Sequence, residues 1–351
     1  MNKLYFLLTL LLPGSFFYAQ DLGELDVKVY DYGTKHFRGG GQRVYVAGFN
    51  VHYQVYFSAS DSQAAKRKTA GFRAGSRVKA AVGLGGLTET ALLDVTDGLY
   101  QNFRGQLEAA GYSFVDADVA AGISAYEGWE RVAGGSVSRA QTEGYVTVNP
   151  RGVDFFVPRI KNSGKRGAKL FDNTAYISDQ LDDAVVVKVD IFLPFAEDGE
   201  SGWSRSLGRM TDESKVVIRT RYRLGAPSVV EKKGLAALQD IGTLPVTNGI
   251  VFTRGKIKVG AGAEAQYRVD LKRDLEIQGV MDDEKIKRYA VGSFDFTASS
   301  FGSLSYYSAE SEELDTFIQV EFDRDRYLQG ALLAGKAYLD EAVSGFLGKA
   351  K

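Results

Sequence analysis

The sequence predicts an α/β to α+β fold: a mixed, largely antiparallel sheet with one βαβ-like unit, a long helix near residues 89–110 and a C-terminal amphipathic helix. Three observations support this prediction. Apolar residues recur every three or four positions in two long segments, which is typical of helices that pack on one side. Several short segments alternate in polarity or run apolar, as strands do. The 351 residues are 44% hydrophobic and 25% charged, an ordinary balance for a folded globular protein.

The first twenty residues, MNKLYFLLTLLLPGSFFYAQ, have the layout of a secretory signal. Lys3 gives a positive start, residues 4–12 form an apolar run, and Ala19 is a small residue before the expected cut. The run ends at Pro13 and falls short of the roughly 20 apolar residues that a spanning helix needs. We therefore expect a signal peptide over residues 1–19, cleaved near Ala19, and a mature protein in the periplasm or outside the cell.

Residues 20–351 are expected to form a single mixed α/β domain, with a subdivision near 160–170 left open. The chain has no cysteine and only two histidines, which excludes disulfide scaffolds, thiolate zinc sites and cysteine nucleophiles. The net charge of −1 disfavours a nucleic-acid-binding protein. No cofactor and no metal are expected.

The first half of the mature chain predicts strand, helix and strand in turn. Residues 42–57 read as a long strand or a bent pair, with Val51, Tyr53 and Val55 on one face and His52 and Gln54 on the other. The polar and basic residues that follow, 58–75, indicate a loop. A second short strand is expected over 77–82.

The helix expected over 89–110 is the clearest element. Thr88 is a good N-cap, and Gly111 fits the residue that ends the helix. Leu92, Val95, Leu99, Phe103 and Leu107 form one apolar stripe, and Gly98 and Gly105 suggest a close approach to a sheet or to another helix. Because a strand starting at Tyr112 follows, parallel pairing across this helix is expected.

Strands dominate the rest of the chain. A short helix is expected over 173–182, and a strand buried on both faces over 184–195. A final amphipathic helix is expected over 324–347. The remaining predicted strands cover residues 145–148, 153–157, 215–224, 250–252, 256–259, 266–271, 275–281, 293–297 and 316–322.

Several patterns could carry chemistry, and each also has a purely structural interpretation. The loop Gly83-Leu84-Gly85-Gly86 precedes a helix as in dinucleotide sites, but Thr88 replaces the third glycine of that motif. A histidine base would be His36 or His52, and no nucleophile motif accompanies either one. Paired carboxylates of a glycosidase kind are available at Glu127 and Glu130 around Trp129, and at Glu197, Asp198 and Glu200 before Trp203. Calcium could bind Asp182-Asp183 or Asp282-Asp283-Glu284, although neither fits the twelve-residue loop pattern.

The one candidate site retained is a positive strip. Arg219, Arg221 and Arg223 alternate along a predicted strand and could join the basic residues 66–73. Such a strip would bind a polyanion or lipid headgroups. A half-buried sheet with one wet face predicts the same alternation.

Residues 79–118, KAAVGLGGLTETALLDVTDGLYQNFRGQLEAAGYSFVDAD, resemble a pattern found in uncharacterised exported bacterial proteins. The matching positions are Asp97, Tyr100, Phe103, Leu107, Gly111 and Tyr112. The strand–helix–strand layout is similar to the periplasmic α/β domain of curli-secretion-channel-like proteins. That family is lipid-anchored through a cysteine, which this chain lacks, and the resemblance implies no catalytic residue.

The expected function is that of an exported, non-catalytic envelope protein that binds or assembles. Its expected partners are an envelope protein, an acidic polymer or further copies of the chain, with at most peripheral membrane contact and no nucleic acid. Two alternatives stay open: a secreted hydrolase using paired carboxylates, and an outer-membrane β-barrel. An assembly protein should expose an apolar patch or a sheet edge, whereas a hydrolase should hold two buried carboxylates within about 10 Å.

Overall fold

The structure is a computed structural model of the full chain. It describes residues 21–38, 41–63, 66–68, 71–73, 76–158, 160, 173–199, 214–225, 249–256, 263–289, 294–295, 300–301, 304–306, 313–314 and 316–351, with side chains left out for 61–77 and for a few positions after 288.

The described residues contain four α-helices: α1 (Glu89–Ala109), α2 (Ala117–Ala121), α3 (Thr174–Gln180) and α4 (Arg324–Ala350). Two 3₁₀ turns cover Thr34–Phe37 and Ser124–Tyr126. The strands are β1 (Val27–Tyr32), β2 (Arg43–Gln54), β3 (Tyr56–Gln63), β4 (Lys66–Lys68), β5 (Gly71–Arg73), β6 (Ser76–Leu84), β7 (Ser113–Phe114), β8 (Glu130–Ala133), β9 (Tyr145–Val148), β10 (Asp154–Val157), β11 (Val185–Leu193), β12 (Ala196–Asp198), β13 (Lys215–Thr220), β14 (Arg223–Leu224), β15 (Gly249–Arg254), β16 (Ala265–Leu271), β17 (Leu275–Glu276), β18 (Glu284–Tyr289), β19 (Phe294–Asp295), β20 (Ser300–Phe301), β21 (Leu304–Ser305), β22 (Glu313–Leu314) and β23 (Thr316–Val320).

A seven-stranded mixed sheet forms the centre of the fold. Its order is β1–β16–β15–β11–β2, and the far edge of β2 pairs with β7 at its start and with β9 at its end. The pairs β11/β2 and β2/β7 are parallel, and the others are antiparallel. The predicted α+β class with a mostly antiparallel sheet and a C-terminal helix is therefore confirmed.

The strand β2 leads directly into a second sheet. It passes through Val55 into β3, so the bent pair expected over 42–57 is present. The second sheet has the order β23–β6–β3, in which β6 pairs parallel to β23 and antiparallel to β3. A three-stranded sheet, β12–β13–β18, and five two-stranded pairs complete the described strands.

The helices α1 and α4 cover one face of the central sheet. The stripe Leu92, Leu99, Phe103 and Leu107 of α1 is fully buried in the main hydrophobic cluster, which also takes up Tyr338 of α4. Thr88 Oγ1 accepts from the N–H of Ala91, and Gly111 follows the helix with φ of +90°. Both ends of α1 are therefore those the sequence predicts.

The two helices cross where glycines lie. Gly98 of α1 faces Leu332, and Gly335 of α4 faces Leu99, whose methyl carbons would lie 2.6 and 2.9 Å from a Cβ at position 335. The close helix approach expected from Gly98 is thus found, whereas Gly105 has no atom within 4 Å of a Cβ. Only one of the two predicted glycines serves the contact.

Two local predictions are wrong. The strand before α1 was expected to pair with the strand after it, but β6 lies in the second sheet. The strand after α1, β7, pairs parallel to β2 instead, so the βαβ-like unit begins at β2. Residues 58–75 are not a loop but the hairpin of β3 and β6, tipped by β4 and β5. Ladder bonds use the backbone, so a hairpin can continue through polar residues that give no burial pattern.

Other predicted helices and strands are present, but they begin or end at different residues. The segment 275–281 forms only the two-residue β17, and 215–224 breaks into β13 and β14. Most of the predicted strand 256–259, parts of 293–297, and most of the subdivision region 160–170 lie outside the described residues. The division into one domain or two stays a prediction.

Candidate functional site

The two faces of the central sheet differ in what covers them. On the face opposite α1 and α4, a small apolar cluster covers one end of the sheet; it includes Tyr45 of β2, Val186 of β11 and Ile177 of α3. Beyond that cluster the same face carries polar side chains. We call this set the polar face; its members are Lys28, Tyr30, Tyr32, Asn50, His52, Gln54, Thr147, Asn149, Lys188, Asp190, Arg268 and Asp270.

A β-bulge in β2 builds the polar face. Val46 pairs with Val187 and Gly48 pairs with Lys188, so Ala47 is an extra residue in β2. Since side chains alternate between faces, one extra residue moves the following even-numbered residues away from the helices. His52 is one of them, and it lies on the same face as Lys188 as a result.

His52 lies at the centre of a buried hydrogen-bond network. Its ring is fully buried and stacks on Phe192 with ring centroids 4.0 Å apart. Nδ1 lies 2.8 Å from the hydroxyl of Thr147, and Nε2 lies 3.3 Å from Oδ1 of Asp190. The same Asp190 oxygen accepts from Asn50 Nδ2 at 2.8 Å. The network therefore fixes one oxygen of a carboxylate whose side chain is 25% exposed.

The hydroxyl, imidazole and carboxylate lie in the order of a hydrolytic triad, but the hydroxyl is too deeply buried to act as a nucleophile. A triad hydroxyl must reach a substrate carbonyl. Thr147 is 0% exposed and lies within β9, with its hydroxyl bonded to His52. The network therefore holds the Asp190 side chain in place, and His52 acts in it as a packed, hydrogen-bonded side chain, as its structural interpretation predicts. His36, the other histidine, lies in the 3₁₀ turn Thr34–Phe37 and not in a strand of the central sheet.

Two carboxylates flank a glycine on the polar face. Asp190 pairs with Gly249 of β15, and continuing the β15/β16 register places Asp270 opposite the same glycine. Strands lie about 4.8 Å apart, so the two Cα atoms are roughly 10 Å apart. Asp270 accepts from Arg268 Nε at 2.8 and 2.9 Å. This is the nearest arrangement on the polar face to paired carboxylates, and both groups are engaged in hydrogen bonds.

The predicted arginine strip is an ion-pair network. Arg221 bonds Glu197, Glu276 and Asp274 at 2.8 to 2.9 Å. Arg223 bonds Glu197 at 3.0 Å, and Arg219 bonds both oxygens of Asp283. Three arginines thus meet four carboxylates, so their positive charge is compensated locally. The side chains of residues 66–73, which were expected to extend the strip, lie outside the described residues.

The alternation that suggested the strip is only partial, because Arg223 is itself buried, at 6% exposure. Ile218, Thr220, Tyr222 and Leu224 are buried, as the sequence predicts for the opposite face. The three arginines lie between carboxylates of β12, of β17 and of the segments beside β17 and β18. Anion binding by this strip stays a prediction, and the ion pairs weigh against it.

The other candidates from the sequence do not converge. Trp129 packs in the small cluster against Tyr126, with ring centroids 5.1 Å apart, while Glu130 accepts from the backbone N–H of Ile160. Glu200 and Trp203 lie outside the described residues. Asp182 pairs with Arg43 at 3.1 Å, and Asp283 pairs with Arg219. Within the described ranges, no group of three His, Asp or Glu residues could hold a metal ion.

The glycine loop before α1 is explained by the turn it makes. Gly86 has φ of +84°, a left-handed conformation that favours glycine, and the N-cap Thr88 follows it. At this helix end Arg324 Nη2 donates to Thr88 Oγ1 at 3.5 Å, and Glu89 Oε1 accepts from the backbone N–H of Val137 at 2.8 Å. The left-handed turn and the cap account for Gly86 and Thr88, as the structural interpretation of this loop predicts.

Strand β1 is an exposed edge of the central sheet. Its inner side pairs with β16, and among the described residues no strand pairs with its outer side. Val29 is 44% exposed, and Tyr30 and Tyr32 are each 45% exposed. Three of the six large exposed hydrophobic residues of the described chain therefore lie in this one six-residue strand.

The backbone groups on the outer side of β1 can be identified. Lys272 N donates to Asp26 O at 2.9 Å, so Asp26 and Lys272 form a hydrogen-bonded pair of the antiparallel ladder. Such pairs alternate along a strand. The even-numbered residues of β1 therefore face β16, and Val27, Val29 and Asp31 direct their N–H and C=O groups outward.

The strand has few of the features that protect sheet edges. Proteins protect edges with proline, with bulges or with projecting lysines. The register of β1 with β16 is continuous and the strand has no proline. Its one lysine, Lys28, lies with Nζ 4.5 Å from the centroid of the Tyr30 ring. Gly33, with φ of +62°, ends the strand.

Neither β1 nor the polar face is among the elements that the sequence predicts. A signal for the polar face was present, since Lys188 and Asp190 interrupt an otherwise apolar strand at a spacing of two. Asn50, His52 and Gln54 show the same spacing. Polar residues at alternate positions of a strand predicted to be buried indicate a face with polar partners.

No helix among the described residues is both long and apolar enough to cross a membrane. Comparison of the chain with protein-family models, with curated proteins and with solved structures finds no match. The resemblance of residues 79–118 to exported bacterial proteins stays a prediction.

Proposed function

We propose that this chain is an exported, non-catalytic protein of the cell envelope, and that it binds or assembles through strand β1. The observation that carries this proposal is the exposed edge of the central sheet, with Val29, Tyr30 and Tyr32 at its surface. An unpaired strand edge offers a ready row of donors and acceptors to another strand. Strand addition is a common mode of protein recognition.

The leader pattern of residues 1–19 supports the proposed export to the periplasm or outside the cell. The proposed partner is another protein strand. An acidic polymer is less favoured, because the guanidinium groups of Arg219, Arg221 and Arg223 already bond carboxylates.

The alternative of a secreted hydrolase has one specific observation in its favour. Asp190 and Asp270 flank Gly249 at a Cα separation of roughly 10 Å, by two strand spacings. Asp190→Asn and Asp270→Asn would each abolish hydrolysis of a polysaccharide by such an enzyme. Activity that survives both substitutions would remove this alternative.

The test of the proposed function uses Val29→Pro in the full chain. Val29 directs its N–H outward, so proline removes an edge donor without removing a bond to β16, and edge strands tolerate proline at such positions. Val29→Thr is the matched control, because threonine keeps the N–H and has a high strand propensity.

We expect the wild-type chain and Val29→Thr to be recovered from the cell envelope fraction in a complex larger than the free chain. Val29→Pro should shift to the fraction of free chains, at an unchanged circular dichroism spectrum. If the wild-type chain stays intact in the cytosol with Met1 retained, the export part of the proposal is wrong. If Val29→Pro fractionates as the wild-type chain does, β1 is not the binding surface.

A further inference from the structure

We infer that the occupant of the β1 edge is a second copy of this chain, paired antiparallel to β1 about a two-fold axis at Val29. This inference rests on the proposed function, since it assumes that β1 is the binding surface. It adds the identity of the partner and the register of the contact. The backbone directions in β1 and its sequence, VKVYDY, determine this register.

A two-fold axis between two edge strands stands perpendicular to the sheet, so each face of the sheet continues into the same face of the second copy. Directly opposed residues then lie on the same face. Residues with outward N–H and C=O groups must oppose one another, which restricts the hydrogen-bonded pairs to Val27, Val29 and Asp31 of the two copies.

Only the axis at Val29 brings all three outward residues of β1 into the ladder. Val29 then opposes Val29 of the second copy, and Val27 opposes Asp31 on either side. Each of these three pairs exchanges two N–H···O bonds. The ladder ends with the strand, because Gly33 has a left-handed backbone and a Cβ there would lie 1.9 Å from Glu264 O.

The neighbouring registers are worse. An axis at Asp31 leaves Val29 opposite Gly33, beyond the end of β1. An axis at Lys28 would oppose two ammonium groups, and like charges directly opposed destabilise a sheet. An axis at Tyr30 leaves Val27 opposite Gly33, beyond the end of β1. The register centred on Val29 avoids both faults.

The side chains of this register are complementary. Lys28 opposes Tyr30 of the second copy, and Tyr30 opposes Lys28. Within one chain the Lys28 ammonium already lies over the Tyr30 ring, so the paired strands can exchange this cation–aromatic contact between copies. On the other face, Val29 packs against Val29, where it is now 44% exposed.

The absence of cysteine from the sequence allows a direct test of the register. In a hydrogen-bonded antiparallel pair the Cα atoms are about 5.5 Å apart. Disulfides form across about 4.4–6.8 Å, so Val29→Cys should oxidise to a covalent dimer. Asp31→Cys is the control within the same strand: its two cysteines would lie four residues apart along the ladder, roughly 14 Å, and should not bond.

The experiment oxidises each purified, mature variant alone and measures the dimer by non-reducing electrophoresis, with the linked peptide identified by mass spectrometry. We expect a dimer from Val29→Cys at least tenfold above that from Asp31→Cys. A second variant, Val29→Lys, should lower the dimer fraction of the cysteine-free chain in light scattering, because it opposes two ammonium groups.

Equal or absent crosslinking of the two cysteine variants, with a monomeric wild-type chain, would overturn the second copy as the partner. A dimer formed mainly by Asp31→Cys would overturn the register. If the purified chain is a monomer while Val29→Pro still leaves the envelope assembly in cells, the inference fails and the proposed function stands. If Val29→Pro does not change the fractionation and the cysteine variants do not differ in crosslinking, both the proposed function and the inference are wrong.

Discussion

The close crossing of α1 and α4 predicts how a methyl group added at Gly335 changes the free energy of unfolding. Gly335→Ala would place a Cβ 2.6 Å from Leu99 Cδ2 and 2.9 Å from Cδ1, and Leu99 is fully buried. Overpacking of this kind costs about 1–3 kcal/mol. Alanine is also favoured over glycine in a helix interior by about 1 kcal/mol. The expected net change in the free energy of unfolding is therefore a loss of about 0–2 kcal/mol.

The matched control is Gly105→Ala in α1, where nothing lies within 4 Å of the added Cβ. This variant should gain up to about 1 kcal/mol from helix propensity alone. The difference between the two variants cancels propensity and leaves the overpacking cost of about 1–3 kcal/mol. Urea denaturation at equal m-values measures both changes.

A double variant sharpens the test. Leu99→Ala alone should destabilise by about 2–5 kcal/mol, because it leaves a cavity in the core. Combined with Gly335→Ala, the loss should be smaller than the sum by about 1–3 kcal/mol, since the added methyl group occupies space that Leu99 has vacated. Equal shifts for Gly335→Ala and Gly105→Ala, with an additive double variant, would refute the close crossing.

Three further predictions concern buried and charged groups. Thr147→Val removes the hydroxyl that bonds His52 Nδ1 and should cost about 1–3 kcal/mol in urea denaturation, whereas Thr147→Ser should cost less. The guanidinium of Arg219 lowers the pKa of Asp283, so this pair contributes stability above the unfolded carboxyl pKa of about 3.9, and the contribution is lost as pH falls through the lowered value. Asp283→Asn should then lose a few tenths of a kcal/mol near neutral pH and nothing in acid, as thermal melts at both conditions would show. Burial raises the pKa of Tyr45 to about 12, so its contribution to stability is complete below the unfolded pKa of about 10 and declines as pH rises above that value. Tyr45→Phe should therefore reduce the loss of stability at alkaline pH. An unchanged loss of stability at alkaline pH would contradict the raised pKa of Tyr45.

Local patterns predicted those elements whose burial repeats along the chain. The stripe from Leu92 to Leu107 gave α1 to within one residue, and the apolar run after Ala184 gave β11 in the centre of the sheet. Strand β1 was missed because five of its six residues are exposed, which leaves no difference between its faces to detect. The hairpin of β3 and β6 was missed for a related reason, since its pairing continues through polar residues that show no alternation in the sequence.

The polar residues of the polar face recur at a spacing of two in the sequence, but the contacts between them are not contained in any local pattern. His52 and Asp190 are 138 residues apart, and they meet only because β2 and β11 pair in parallel. The bulge at Ala47 then decides which face His52 occupies. Neither the pairing nor the bulge could be inferred from composition or periodicity, so the network around His52 follows from tertiary structure alone.

The passage of β2 into β3 joins the two main sheets through a single residue. Val55 donates its N–H to Gly144 O at 3.0 Å and accepts from Leu84 N at 3.0 Å, so it belongs to the hydrogen bonding of both sheets. Neither sheet can open at this point without breaking bonds of the other. The two sheets are therefore expected to unfold as one cooperative unit, and that unit includes the central sheet that carries the exposed edge at β1.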